Sequence, residues 1–121
     1  MTTNELHVRV RDRGGTAVVD LQGEINRSGD ERLAQAYRDA TADGARTVVL
    51  NFERTEYINS TGIALIVGLL AQARKQGVHV SACGLSEHYR EIFEITRLAD
   101  FMTIADSEDG AVRGADRSHD D

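Results

Sequence analysis

The chain contains no proline, no tryptophan and a single cysteine, Cys83. One cysteine excludes an internal disulfide and is compatible with a reducing compartment. Aromatic residues supply 5% of the sequence against 40% hydrophobic residues, so the core has to be aliphatic. The longest apolar run, Ile63 to Ala71, falls far short of the roughly 20 residues of a membrane span. The polar N-terminus has no apolar signal-peptide segment. These absences lead to the expectation of a soluble cytoplasmic protein without membrane insertion. A length of 121 residues suits one domain with one core.

Basic residues are also too few for a nucleic-acid surface. The formal net charge is −6, and the last sixteen residues hold Asp106, Glu108, Asp109, Asp116, Asp120 and Asp121 against Arg113 and Arg117. That segment carries −4, which leaves −2 for the rest, and no basic stripe appears. The histidines at 7, 79, 88 and 119 are scattered and Cys83 has no Cys-x-x-Cys neighbour, so no metal site is expected. No glycine-rich turn leads into Gly-Lys-Ser/Thr, and no other cofactor motif is present. A nucleophilic serine would need a histidine base and a third group to orient it. His88 is the only remotely placed candidate, and its spacing does not argue for that role. The expectation is that the protein is not an enzyme, with Cys83 a small strand hydrophobe.

The patterning that is present reads as β-β-α-β-α-β-α-β. Leu6-His7-Val8-Arg9-Val10 alternates with period two, Gly14-Gly15 supplies a hairpin turn, and Thr16 to Leu21 returns antiparallel. Ser28 and Glu31 have the spacing of a capping box for a first helix running to about Asp43, closed by Gly44. Leu33, Ala36, Tyr37 and Ala40 fall on its inner face. Residues from about Arg46 to Phe52 read, around Val48-Val49-Leu50, as the continuous apolar run of a central strand buried on both faces. Val78 to Cys83 is a fourth strand, Ser86 caps a third helix with Tyr89, Ile92 and Phe93 inward, and Phe101 to Ile104 is a short last strand. Residues 1–105 form the domain, and 106–121 are expected to be an acidic, disordered tail. The fold class is α/β: a mixed sheet of about five strands, its first pair antiparallel and the rest joined by β-α-β crossovers, packed by three or four helices.

The sequence is organised around Tyr57-Ile58-Asn59-Ser60-Thr61-Gly62-Ile63, a polar triplet between two apolar runs. The second run has the length of a helix, with Arg74 and Lys75 in its last turn and Gly77 where a left-handed cap falls. Asn59 or Ser60 is its N-cap. The first amides of a helix lack intrahelical partners and sit at the positive end of its dipole, which together make an anion site. Ser60 either caps or, if phosphorylated, brings a charge of about −1.5 to −2 to those amides. Ile63, Ile66, Val67 and Leu70 fit one apolar stripe, and Ala64, Leu65, Gly68 and Leu69 widen it. The second side is either more core beneath a neighbouring helix or a patch beside Ser60 where a partner docks.

Asn59-Ser60-Thr61-Gly62 before an apolar helix resembles the Asp-Ser-Ser/Thr-Gly signature of STAS domains, and within them of the bacterial anti-sigma factor antagonists. Gly23-Glu24-Ile25-Asn26 is similar to the family's Gly-Glu-Leu-Asp. Ile92-Phe93-Glu94-Ile95-Thr96-Arg97-Leu98 is similar to its Phe-x-Leu-Thr-Gly-Leu, and the similarity runs from about Leu6 to about Ala105. The resemblance implies a STAS-type sandwich that binds an anti-sigma factor serine kinase and so frees a sigma factor for transcription. Phosphorylation of the first signature serine would prevent that binding, and a metal-dependent serine/threonine phosphatase would restore it. Carried over by residue, Ser60 is the phosphoacceptor, Thr61 a weaker candidate, and Gly62 permits close backbone approach. Asn26, Asn59, Ser60, Thr61, Gly62, Ile63, Ala64 and Leu65 form the partner and anion site, and a weak homodimer through the Leu65 side stays open. Asn59 and Asn26 depart from the family's acidic residues: they still cap and turn, but they remove two negative charges near Ser60. The alternatives are a constitutive STAS subunit of the stress-complex or lipid-transport type and, last, an anion or nucleotide sensor.

Overall fold

A computed structural model describes residues 5–118, with side-chain detail through residue 114. Strand β1 (His7–Arg13) and strand β2 (Thr16–Ile25) form the antiparallel hairpin, turned by Gly14 and Gly15 at φ +64° and +91°. Helix α1 (Asp30–Thr41) crosses to strand β3 (Thr47–Ile58), and helix α2 (Ser60–Gln76) to strand β4 (His79–Cys83). Helix α3 (Glu87–Ile95) leads to strand β5 (Thr103–Ile104), and helix α4 (Glu108–Ser118) comes last. The sheet order is β1-β2-β3-β4-β5, with every pair after the first parallel. This is the mixed five-stranded sheet that the pattern predicts, packed by four helices where three or four were expected.

The two faces of the sheet are built differently. Val19, Leu21, Ile25, Val48, Leu50 and Phe52 join Leu33, Ala36 and Tyr37 of α1, Ile66, Leu69 and Leu70 of α2, and Phe93 of α3 in one aliphatic core. Phe52 and Phe93 meet edge to face within this core at 5.8 Å. The Tyr37 hydroxyl donates to Gln76 Oε1 at 2.6 Å, and burial raises its pKa. On the opposite face Val18, Val49 and Cys83 are covered by Ala111 and Val112 of α4. Burial pushes the Cys83 thiol up to about 11, with Glu108, Glu53 and Asp20 adding to the shift, so the thiolate nucleophile is suppressed.

Three sequence expectations are corrected here. Ser28 and Glu31 make no capping box: Asn26 accepts from Ser28 N at 3.0 Å and from Ser28 Oγ at 2.6 Å, which uses the serine in a 3-10 turn (Arg27–Gly29) ahead of α1. Strand β3 runs past Phe52 to Ile58, because Arg54, Thr55 and Tyr57 still pair with β2 although they are too polar to read as core. The tail expected to be disordered from about Ser107 is helical over Glu108–Ser118, while residues 119–121 lie outside the described part. Ser107 caps that helix through Gly110 N at 3.0 Å, and its Ala111 and Val112 pack on the sheet.

Ion pairs fix α4 to the first hairpin. Arg11 grips Asp20 with two hydrogen bonds of 2.7 and 2.8 Å and also bonds Glu108, which takes further bonds from Arg13 at 2.8 Å and Asn51 at 3.0 Å. The Arg11 guanidinium holds the Glu108 carboxyl down to about 2 against burial, with Arg13 and Asn51 assisting. A carboxyl depressed by folding stabilises fully above its ordinary pKa of 4.5, and the contribution is lost as pH falls towards 2. Amide protection at Ala111 and Val112 is therefore expected to fall across that window, by the equivalent of roughly 1 kcal/mol for a partly solvated network. In Glu108→Gln it should be low already at neutral pH and flat across the window. Wild-type protection in that variant would disprove the latch.

Candidate functional site

Two neighbouring parallel strands end in the same way, and the site lies where they end. Ile25 of β2 pairs in register with Ile58 of β3, and the next residues are Asn26 and Asn59. Each asparagine then turns the chain into a helical segment. Asn26 accepts from Ser28 N as described, and Asn59 Oδ1 accepts from Gly62 N at 2.7 Å while its own N–H donates to Ile25 O at 3.2 Å. Tyr89 of α3 accepts from Ile58 N at 2.9 Å, which satisfies the last amide of β3.

Of the two capping candidates, Asn59 is the cap. Its backbone is extended and its carbonyl accepts the first helical bond from Ile63 N at 2.9 Å. Ser60 is the first residue inside α2, exposed, and its hydroxyl has no hydrogen-bond partner among the described residues. The amide of Gly62 is already taken by Asn59, so the cap and the free hydroxyl are separate groups. Thr61 is exposed as well.

Gly62 is buried, and the backbone it approaches is the chain's own. A Cβ there would stand 2.0 Å from Ile25 O and 3.0 Å from Ile58 Cγ2, so only a hydrogen fits between the first turn of α2 and the end of β2. Ile63 and Leu65 are half-buried against the main core, and Ala64 is exposed. Leu65, Gly68 and Leu69 border a cleft shared with Asp30, Leu33 and Tyr37 of α1, so the second apolar side of α2 is partly occupied by α1. Val67, expected in the core stripe, is 46% exposed, while Leu69 is buried. The helix is turned a little further towards α1 than its apolar spacing suggests. His88 makes a ring contact with Tyr89 at 5.0 Å and no hydrogen bond to Ser60. Tyr89 is the site residue that sequence reasoning took only for core. The available signal was a hydroxyl on the inner face of a short helix, which needs a partner once its ring is half-buried.

Known proteins resemble the chain over most of its length. A family model described as "Mlab, STAS domain" matches residues 8–104. The anti-sigma-B factor antagonist of Staphylococcus aureus is 30% identical over 86 residues, covering 71% of this chain and 80% of that protein. BtrV of Bordetella bronchiseptica, whose name places it provisionally among the anti-sigma factor antagonists, is 31% identical over 97 residues, 80% of this chain and 84% of its own. The crystal structure of an anti-sigma factor antagonist from Mycobacterium paratuberculosis matches with a TM-score of 0.80 at 20% identity over 93% of this chain and 96% of that one. The Bacillus cell fate determinant SpoIIAA in its phosphorylated form gives 0.67 at 23% identity over 93% and 100%. At those identities the two structures speak for the fold.

The steric reading of Gly62 is directly testable. Gly62→Ala is expected to cost about 3 kcal/mol, at the upper end for overpacking, because its neighbour is a backbone carbonyl that cannot rotate away. Asn59→Ala should cost about 1 kcal/mol through the lost cap. Chemical denaturation of both variants checks this, and an unchanged midpoint for Gly62→Ala would refute the contact.

Proposed function

This chain belongs to the STAS domain family, among the anti-sigma factor antagonists, and we propose that it switches partners through the hydroxyl of Ser60. The observation that carries the proposal is the exposed Ser60 Oγ at the first turn of α2, left free because Asn59 does the capping. Unphosphorylated, the protein docks an anti-sigma factor kinase through Asn26, Asn59, Ser60, Thr61, Gly62, Ile63, Ala64 and Leu65, and so releases a sigma factor. The kinase transfers the γ-phosphoryl group of ATP to Ser60 Oγ, which loses its proton, and ADP departs. The dianion then has to be desolvated against a surface with no matching cation, which costs several kcal/mol. Dissociation results without any change of fold. A metal-dependent phosphatase hydrolyses the ester and restores docking. Because ATP drives the cycle, it operates in the cytoplasm, and the protein itself performs no catalysis. No helix among the described residues is long and apolar enough to cross a membrane.

The two asparagines favour a variation on this scheme. With neither Asn26 nor Asn59 charged, phosphate on Ser60 meets less repulsion, and the modified state is tolerated more easily than beside carboxylates. The same substitutions favour, as a second reading, constitutive binding to a partner if the kinase requires an acid at position 59.

Incubation with a cognate anti-sigma factor kinase and ATP, followed by mass spectrometry, should place one phosphate on Ser60 and none in Ser60→Ala. Ser60→Glu should bind the kinase about 100-fold more weakly than wild type, the equivalent of about 2.7 kcal/mol. Equal affinities for Ser60→Glu and wild type would leave the constitutive reading in its place.

A further inference from the structure

A half-open groove of about 460 Å³ lies between the C-terminal half of α2 and the turn leading into β5. Apolar Val67, Leu98 and Phe101 line it together with basic Arg74, Lys75 and Arg97. Val67 and Phe101 are 46% and 53% exposed, so the apolar wall of the groove is open to solvent beside the basic side chains. The Arg74 guanidinium stands 5.4 Å from the centroid of the Phe101 ring, so the cation is held over the apolar wall.

Charge at the groove runs against the balance of the chain. Arg97 bonds Asp100 at 2.9 Å, the one carboxylate seen to pair with these three cations among the described residues. Three cations against one carboxylate leave +2 on a protein whose formal net charge is −6. The dipole of α2 accounts for Arg74 and Lys75 near its C-terminus. It does not account for Arg97, which stands in the turn that follows α3. Arg97 is also the one non-glycine residue at positive φ among the described residues, +66°. A long cation has been put where the backbone favours a residue without Cβ.

We propose that this groove docks an acidic amphipathic helix of a partner protein. Its carboxylates meet Arg74, Lys75 and Arg97, and its apolar side chains lie against Val67 and Phe101, in the manner of a helix laid in a groove. Val67 is seven residues beyond Ser60, about 10 Å along the axis of α2, so this surface works whether or not Ser60 carries phosphate.

The probe is a synthetic helical peptide of about 14 residues, long enough for about four turns, with leucine at helical spacing and glutamate elsewhere. A second peptide carries lysine in place of glutamate. In a two-dimensional amide NMR titration of the full chain, the glutamate peptide is expected to shift Val67, Ala71, Arg74, Thr96, Arg97 and Phe101, and the lysine peptide to shift none of them. Arg74→Glu combined with Lys75→Glu should weaken binding about tenfold or more, as should raised salt. Arg97→Gly should weaken binding while leaving the thermal midpoint equal or higher, which a merely structural arginine would not do. Ser60→Glu should bind the peptide like wild type. Equal binding of both peptides, no shifts in the groove, or undiminished binding by the charge-reversed variant overturns the proposal. So do groove shifts that depend on protein concentration without peptide, which would make a second copy the occupant.

Discussion

The seating of α2 on the sheet depends on one close approach, that of Gly62 to the carbonyl of Ile25. A side chain there would lift the first turn of the helix off the end of β2 and break the bond from Asn59 N to Ile25 O. Because successive helical residues are turned by about 100°, fixing Gly62 inward leaves Ser60 and Thr61 facing solvent. The exposure of the hydroxyl is thus a consequence of a buried steric contact two residues away. It also means that a charge added at Ser60 acts on whatever approaches from outside, since the helix beneath it has no room to shift.

Polar groups in this protein are distributed by what they have to do. The main core is aliphatic, and its polar fastenings, Tyr37 to Gln76 and Tyr89 to Ile58, stand at its margins. Ion pairs gather instead on the opposite face, where Arg11, Arg13, Asp20, Asn51 and Glu108 replace apolar packing around the small contact made by Ala111 and Val112. A large aliphatic interface tolerates wide variation in pH and salt, whereas the second face responds to both. The two layers therefore have different resistances to the same solvent.

Most of the architecture was legible because periodicity and burial agreed. The apolar run Val48-Val49-Leu50 in β3 and the inner face of α1 each admitted one placement, and Asn59 or Ser60 at one end and Gly77 at the other bracketed α2, although Val10 on the apolar phase of β1 is exposed. What could not be read depended on choices between equivalent local partners. Ser28 could cap a helix or complete the turn of Asn26, and nothing in its spacing says which. The acidic segment looked like a solvated tail because its net charge outweighed a cap at Ser107 and an Ala111-Val112 pair too short to show periodicity. Two of its acids, Glu108 and Asp109, turned out to be ligands for Arg11 and Arg13, a long-range relation invisible along the sequence. At the site, the signature residues were evident, but their rotation was not: that Val67 faces out and Leu69 in is fixed by the bulk of α1.

The strands stand in the sheet in the order in which they are made. During synthesis, each parallel strand can therefore add to an edge that is already finished, and the entropy of closing the chain is met in short instalments. Only α4 departs from this, reaching back from Glu108 to Arg11 across 97 positions to cover a face left bare since the first hairpin formed. The nascent protein accordingly carries the corner of Asn26, Asn59 and Ser60 complete while its opposite face is still wet, and the beginning of α4 acts as the seal.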